Sequence, residues 1–310
     1  YKALKLACAK QIPRMNIAIL PERKIDVCTQ RACSESTCVL DELCLDETMT
    51  SAAENLSSEL LDIAERIALQ AGELLKNRPS KFELDQKSGV LDFATQMDHE
   101  SEKLIVSEIL KARPDDGLLG EEGANKESKS GITWVIDPID GTVNYLYDIP
   151  GWCISIAAKD ESGGLIGVVY APSTNSLWKA KRGGGAFLNN SQIRCNEPVQ
   201  LNRALVGSGF AYDIERRKDQ AAFMAKFLPE IRDLRRLGAC AVDICHVASG
   251  SLDAFFEAGV NEWDYAAAGL IAAEAGAKVT IKSGIWNGQK HQVLAAGPTL
   301  HAAIESLLGS

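Results

Sequence analysis

The chain has no long, uncharged apolar run of the length a bilayer span requires. It also lacks any C-x-x-C pair, which removes the usual spacing signature of a structural zinc site or a thioredoxin-like redox centre. Its nine cysteines, five of them before residue 45, are odd in number and irregularly spaced, a pattern that fits free buried thiols in a reducing cytoplasm. Positive charge is in short supply: 33 basic against 42 acidic residues leave a net charge of -9. Such a surface is poorly suited to nucleic acid or anionic membrane. A phosphorylated substrate would need local positive charge, supplied by metal. Hydrophobic residues at 46% and charged residues at 24% fit a globular protein able to bury a substantial core over 310 residues.

Residues 1-48 differ from the rest of the chain. They show no clear helical or alternating period, and the expectation is a disordered or artefactual extension. From Ser51 the pattern turns helical, with Ser51-x-x-Glu54 as a capping box, a stripe of Leu56, Leu60, Ile63, Ile67, Ala71 and Leu74, and Pro79 as the stop. A second helix is expected from about Asp98 to Ala112. Strand-like runs at 134-136, 154-157 and 165-170, punctuated by glycines, read as an antiparallel sheet behind two helices. Beyond residue 200, helices near 215-228, 241-249 and 265-275 alternate with short strands. The fold class expected is α/β, layered α+β: an αβαβα sandwich of two packed subdomains, 49-200 and 201-310, with a crevice between them.

The stretch 134-145, WVIDPIDGTVNY, places Asp137 and Asp140 on either side of Pro138 at the end of a buried strand, where α/β folds tend to present ligands. Proline stiffens the bend and removes a donor, so both carboxylates and the Ile139 carbonyl are expected to converge on one hard cation. Gly141-Thr142 then offers backbone N–H groups and a hydroxyl as a phosphate cradle. The same residues would also make an ordinary polar turn. Two further acidic clusters bear on the choice: Glu121-Glu122 after Leu118-Leu119, and Asp264 opening an alanine-rich helix, where N-capping is the plain explanation. Three such clusters would be costly to bury unless cations neutralised them.

With these motifs in order (G-E-E at 120-122, D-P-I-D-G-T at 137-142, W-D-x-A-A at 263-267, and a K-x-x-x-x-D-x-x-T-x-x-D pattern from Lys87 to Asp98), the sequence from about 51 to 308 resembles the inositol monophosphatase family of Mg²⁺-dependent phosphatases. The resemblance implies that Glu121, Asp137 and the Ile139 carbonyl hold one Mg²⁺, and that Asp137, Asp140 and Asp264 hold a second. A third, weaker ion would lie near Glu121, supported at a distance by Asp98. Glu121 and Thr142 would position and deprotonate the attacking water, with Lys87 nearby. Two metals suit the chemistry, since a phosphate monoester dianion repels its nucleophile and releases a poor leaving group. The four histidines fall outside the matching motifs and are expected to be structural.

The substrate contacts implied are Asp140, Gly141, Thr142, Glu257 and Cys240. Glu257, seven residues before Asp264, matches the position that hydrogen-bonds a substrate hydroxyl, which suits inositol but equally an amino alcohol such as histidinol. Cys240 stands where alanine is usual and could alter the cleft wall. Asp233 to Arg236 reads as solvated charge or a substrate or subunit contact. The function expected is hydrolysis of inositol-1-phosphate by a lithium-sensitive, cytoplasmic homodimer with no nucleic-acid or membrane partner. Histidinol-phosphate hydrolysis and a non-catalytic protein-binding role in transcription are the alternatives.

Overall fold

In a computed structural model of the chain, residues 36-89, 92-283 and 291-308 are described, the side chains of 36-53, 88 and 89 aside. The chain divides into two units, Tyr1–Thr48 and Met49–Ser310, and the second holds every strand among the described residues. Of the stretch expected to be disordered, residues 1-35 lie outside the described residues, while 36-48 are helical. The first helix, α1 (Ser36–Lys76), therefore begins well before Ser51, so Ser51-x-x-Glu54 lies within it and is not its cap.

A hairpin of β1 (Leu84–Gly89) and β2 (Asp92–Thr95) leads into α2 (Gln96–Ala112). That helix starts two residues before the expected Asp98, because Thr95 is the true N-cap and Asp98 closes a capping box back onto it. Next come β3 (Gly117–Gly120), β4 (Asn125–Lys126), β5 (Thr133–Asp140), the short α3 (Thr142–Leu146), β6 (Cys153–Asp160), β7 (Gly163–Ala171), β8 (Ser176–Lys181), β9 (Ala186–Leu188) and β10 (Ser191–Ile193). The eight strands β3 to β10 form one sheet in the order β10-β9-β8-β7-β6-β5-β3-β4, antiparallel except for the parallel β3-β5 pair. The remainder is β11 (Leu205–Ser208), α4 (Ile214–Phe227), β12 (Asp233–Arg235), α5 (Cys240–Ala248), β13 (Ala254–Val260), α6 (Glu262–Glu274), β14 (Lys278–Lys282), β15 (His291–Ala296) and α7 (Pro298–Leu308). Its strands make a second sheet ordered β12-β11-β13-β15-β14.

Side-chain alternation along each strand sorts the apolar residues into layers. Trp134, Ile136, Ile154 and Ile156 face α1 and α2, meeting Leu60, Ile67, Ile105 and Ile109. The residues between them, Val135 and Ala157, face the other way onto Ile244 and Val247 of α5 and Ala267 and Ile271 of α6. Phe255, Val293 and Ala295 of the second sheet close that same core from beyond the two helices. Phe256 and Leu294, on the sheet's far face, pack on Phe227 of α4 and on Leu300 and Ile304 of α7. The result is the expected helix-sheet-helix-sheet-helix sandwich. Each fully buried aliphatic or aromatic side chain contributes about 1.5–3 kcal/mol of transfer free energy. The alanines of α6 let it approach closely: a Cβ on Gly167 of β7 would lie 2.5 Å from the Ala267 carbonyl oxygen. No helix among the described residues is long and apolar enough to cross a membrane.

Candidate active site

Strand β5 runs on through Asp140, and its pairing with β6 slips register between Asp137 and Asp140. Pro138, with no N–H, sits in that bulge, as a residue that cannot donate to the ladder should. The slip puts Asp137 and Asp140 on the rim of a cleft of about 590 Å³ lined by parts of both sheets. Asp137, almost fully buried, accepts from the Ile139 N–H at 3.1 Å. Asp140 accepts from the Cys240 N–H at 3.2 Å and the Ala241 N–H at 2.6 Å. It thereby caps α5, whose own N-cap, Ala239, has no side chain for the task. Gly141 turns the chain into α3 at φ 88°, a left-handed conformation that glycine adopts without penalty. The Thr142 hydroxyl lies 3.1 Å from both Asp98 Oδ1 and the Ile139 carbonyl oxygen. Asp98 is in turn fixed by the Thr95 N–H at 2.7 Å and the Thr95 hydroxyl at 2.6 Å.

From the neighbouring strand β3, Glu121 follows directly and accepts from Lys87 Nζ at 2.8 Å, while Glu122 is bonded to the same ammonium. Across the cleft, Asp264 in the first turn of α6 accepts from the Asn261 N–H at 2.7 Å; the N-cap is Asn261, and Asp264 closes a capping box from the N3 position in place of the expected N-capping role. All of the sequence-derived site residues that border the cleft are thus brought together: Lys87, Glu121, Asp137, Ile139, Asp140, Gly141, Thr142, Cys240, Glu257 and Asp264. Asp98 stands behind them, joined through Thr142. His301 bonds Thr280 and His291 bonds Tyr265, while His99 lies 3.5 Å from the Glu122 carboxylate that also holds Lys87.

The electrostatics follow from crowding acids into a buried place. Burial first, then the charges of Glu121, Asp140 and Asp264, hold Asp137 well above the ordinary carboxylate range. Burial and then Glu121 do the same to Asp264. Asp140 is pushed up to about 7, mainly by burial, against the pull of the Ala241 amide. Asp98 rises to about 6, again mainly by burial. Glu121 is raised by burial despite the opposing Lys87 charge. Burial would lower Lys87, but Glu121 and Glu122 outweigh it and hold the ammonium above its ordinary value.

Eight carboxylates and three cationic side chains line the cleft. Among the described residues no three His, Cys, Asp or Glu side chains close into a ready-made cage. The amides of α5 hold the Asp140 carboxylate at the helix N-terminus, near enough to Asp137 for its charge to act there. Each carboxylate offers about four lone-pair directions, so these bonds leave oxygen donors free toward the cleft. An all-oxygen donor set with excess negative charge suits a hard divalent cation and not a soft one.

The sequence reading missed Asp243, which lies in the first turn of α5 and borders the cleft, and the cleft-lining Arg216 and Tyr212. A single acid within the apolar run of 239-248 was the available signal for Asp243.

Five layers of helix and sheet gather carboxylates from two sheets and a helix start into one cleft. Residues 56–308 match the model of the inositol monophosphatase family. The inositol-1-monophosphatase SuhB of Mycobacterium tuberculosis is 36% identical over 265 residues, covering 79% of this chain and 91% of that protein. The Nus factor SuhB of Xylella fastidiosa is 40% identical over 223 residues, covering 71% and 80%. Among solved structures, the extragenic suppressor protein suhB from Bartonella henselae superposes with a TM-score of 0.75 at 30% identity, covering 81% of this chain and 98% of that one. The chain belongs to the inositol monophosphatase family.

Proposed function

We propose that the chain is a Mg²⁺-dependent phosphatase that hydrolyses inositol-1-phosphate to inositol and phosphate. The observation that carries this reading is the meeting of Glu121, Asp137, Asp140 and Asp264, with the Ile139 carbonyl and Thr142, in one cleft. Glu121, Asp137 and Ile139 would hold one ion, and Asp137, Asp140 and Asp264 another. Bound there, Mg²⁺ would activate water and neutralise the charge that develops on phosphate and leaving oxygen. Glu121 and the Thr142–Asp98 pair orient the attacking water and take its proton. Asp98, raised to about 6 chiefly by burial, is a base matched to neutral pH. The water oxygen bonds to phosphorus as the bond to the inositol oxygen breaks, and that oxygen is protonated on leaving. Gly141 and Thr142 cradle the phosphate, Cys240 forms part of the wall, and Glu257 accepts from a hydroxyl of the alcohol. Lys87 tethers Glu121 beside the nucleophile.

Of the cysteines in described regions, Cys153, Cys195, Cys240 and Cys245 are free thiols, which supports a cytoplasmic setting. A homodimer and inhibition by Li⁺ complete the proposal. Histidinol phosphate is the alternative ester, and relatives named Nus factor SuhB support a second, protein-binding role as the other alternative.

The test is phosphate release from inositol-1-phosphate and histidinol phosphate side by side, with Mg²⁺, with EDTA, and with Mg²⁺ plus Li⁺. Mg²⁺-dependent, Li⁺-sensitive release favouring inositol-1-phosphate is the expected result. Preference for histidinol phosphate would transfer the mechanism to another ester, and release that is indifferent to EDTA would overturn it.

A further inference from the structure

Two further acids, Asp243 and Glu257, line the cleft within reach of the charge of Asp140. Asp243 is 1% exposed, and its Oδ1 is buried with no hydrogen-bond partner among the described residues. Its carboxyl borders the cleft together with Glu257 and Arg236. A fold seldom leaves a buried carboxylate oxygen unpaired, because an orphaned acceptor is expensive and an apolar side chain of similar size would pack there without that cost. An acceptor kept in a cleft wall at such cost has a partner that arrives from the cleft.

Glycine lets β11 and the turn after it lie close against these acids. A Cβ at Gly209 would stand 2.1 and 2.2 Å from the Glu257 carboxylate oxygens, and one at Gly207 would meet Leu252 at 2.9 Å and Phe255 at 3.1 Å, with the Asp243 carboxyl carbon in ordinary contact at 3.7 Å. A side chain at position 209 would displace the Glu257 carboxylate from its place in the cleft wall. Arg236 exerts its positive charge on both acids, which disfavours a cationic guest, while the two carboxyls disfavour an anionic one. What fits between them is a neutral group carrying several hydroxyl donors, with Arg236 available to its hydroxyl oxygens.

We infer that Asp243 is a specificity-determining residue that pairs with Glu257 to recognise adjacent hydroxyls of a neutral polyol leaving group. The inference rests on the proposed phosphatase activity and extends it from one alcohol-binding carboxyl to two. It excludes an amino alcohol as the preferred leaving group.

The experiment compares kcat/KM for inositol-1-phosphate with that for phenyl phosphate, whose leaving group offers no hydroxyl array, in wild-type protein, Asp243→Ala and Asp243→Asn, all with Mg²⁺. Asp243→Ala should lower the inositol-to-phenyl ratio about tenfold, as expected when a polar pocket loses a matched acceptor. The loss should fall mainly in KM. Asp243→Asn, which keeps one acceptor oxygen and fills the same volume, should lower the ratio roughly threefold and supplies the answer if the alanine variant does not fold. Parallel loss on both substrates, or an unchanged ratio in either folded variant, would overturn the assignment and leave the phosphatase reading standing. Wild-type turnover of phenyl phosphate without turnover of inositol-1-phosphate would overturn the substrate reading and this inference with it.

Discussion

On the eight-stranded side of the cleft, Asp137 accepts from the Ile139 amide, Asp140 from two amides of α5, and Glu121 from Lys87. On the five-stranded side, the buried Oδ1 of Asp243 has no hydrogen-bond partner among the described residues, and Glu257 lines the cleft beside it. Both groups are acidic and sequestered, yet only the first is oriented in advance by the protein itself. Fixed geometry is what a cation between several carboxylates demands, since coordination distances tolerate little error. An alcohol is read by supplying acceptors and letting its hydroxyls complete the bonds, so acids without internal partners serve there. On the proposed function, chemistry falls to one side and discrimination to the other.

The most severe way to break that division is Asp137→Asn. Removing a shared cation carboxylate should cut turnover of every phosphate ester by about 10³-fold or more. The melting temperature of the metal-free protein should hold or rise, because one of several crowded buried acids is gone. Phosphate release and a thermal melt on the same preparation check both, and near wild-type turnover would remove Asp137 from the cation set.

A gentler cut falls on the other side. In Gly209→Ala the new methyl group would occupy the space of the Glu257 carboxylate, so Glu257 must turn away. Turnover of inositol-1-phosphate should then fall about tenfold relative to phenyl phosphate. Equal loss on both esters would show that the two sides are not separable.

The smallest effect is in pH. Burial, then the charge of Glu257, pushes Asp243 up to about 8, and burial against the pull of Arg236 places Glu257 at about 7. A carboxyl whose folded pKa lies above its unfolded value binds its proton more tightly when folded, so stability present at low pH is lost as pH rises through the folded pKa. Melts in EDTA should therefore fall by a few degrees between pH 6 and 8.5, and Asp243→Asn should flatten the slope. A melting temperature that does not change over this range would mean the acid pair is solvated and its carboxyls titrate well below pH 6.

Much of the first side could be read from the chain. Asp137, Asp140, Gly141 and Thr142 sit within six residues, and although those residues also suit a polar turn, the acidic clusters at 121-122 and 264 weigh toward a site. Glu121 and Asp264 were visible as acids at the ends of apolar runs. The layers, too, were written in the alternation of Trp134, Val135 and Ile136 and in the alanines of α6. Less was legible where partners lie far apart. Thr95 as the cap of α2 was hidden because Asp98 looked like a helix start in its own right, and β8 was obscured by lysines, of which Lys179 pairs with Glu65 of α1. The Ser51 box misled because the same four residues fit a helix interior once the chain before them is also helical.

By itself, then, the sequence determined the acid-bearing motifs, the apolar periods that stack five layers, and hence the family chemistry, because each depends on residues close together along the chain. Only the tertiary structure decided which carboxylates would be held and which left open. Asp140 meets its amides 100 and 101 residues away, Glu121 meets Lys87 across 34, and Asp243 is orphaned by the same packing that gives Asp140 its partners. Whether a buried acid is satisfied depends on which donors the folded chain brings within about 3 Å of it, and no local pattern encodes that distance.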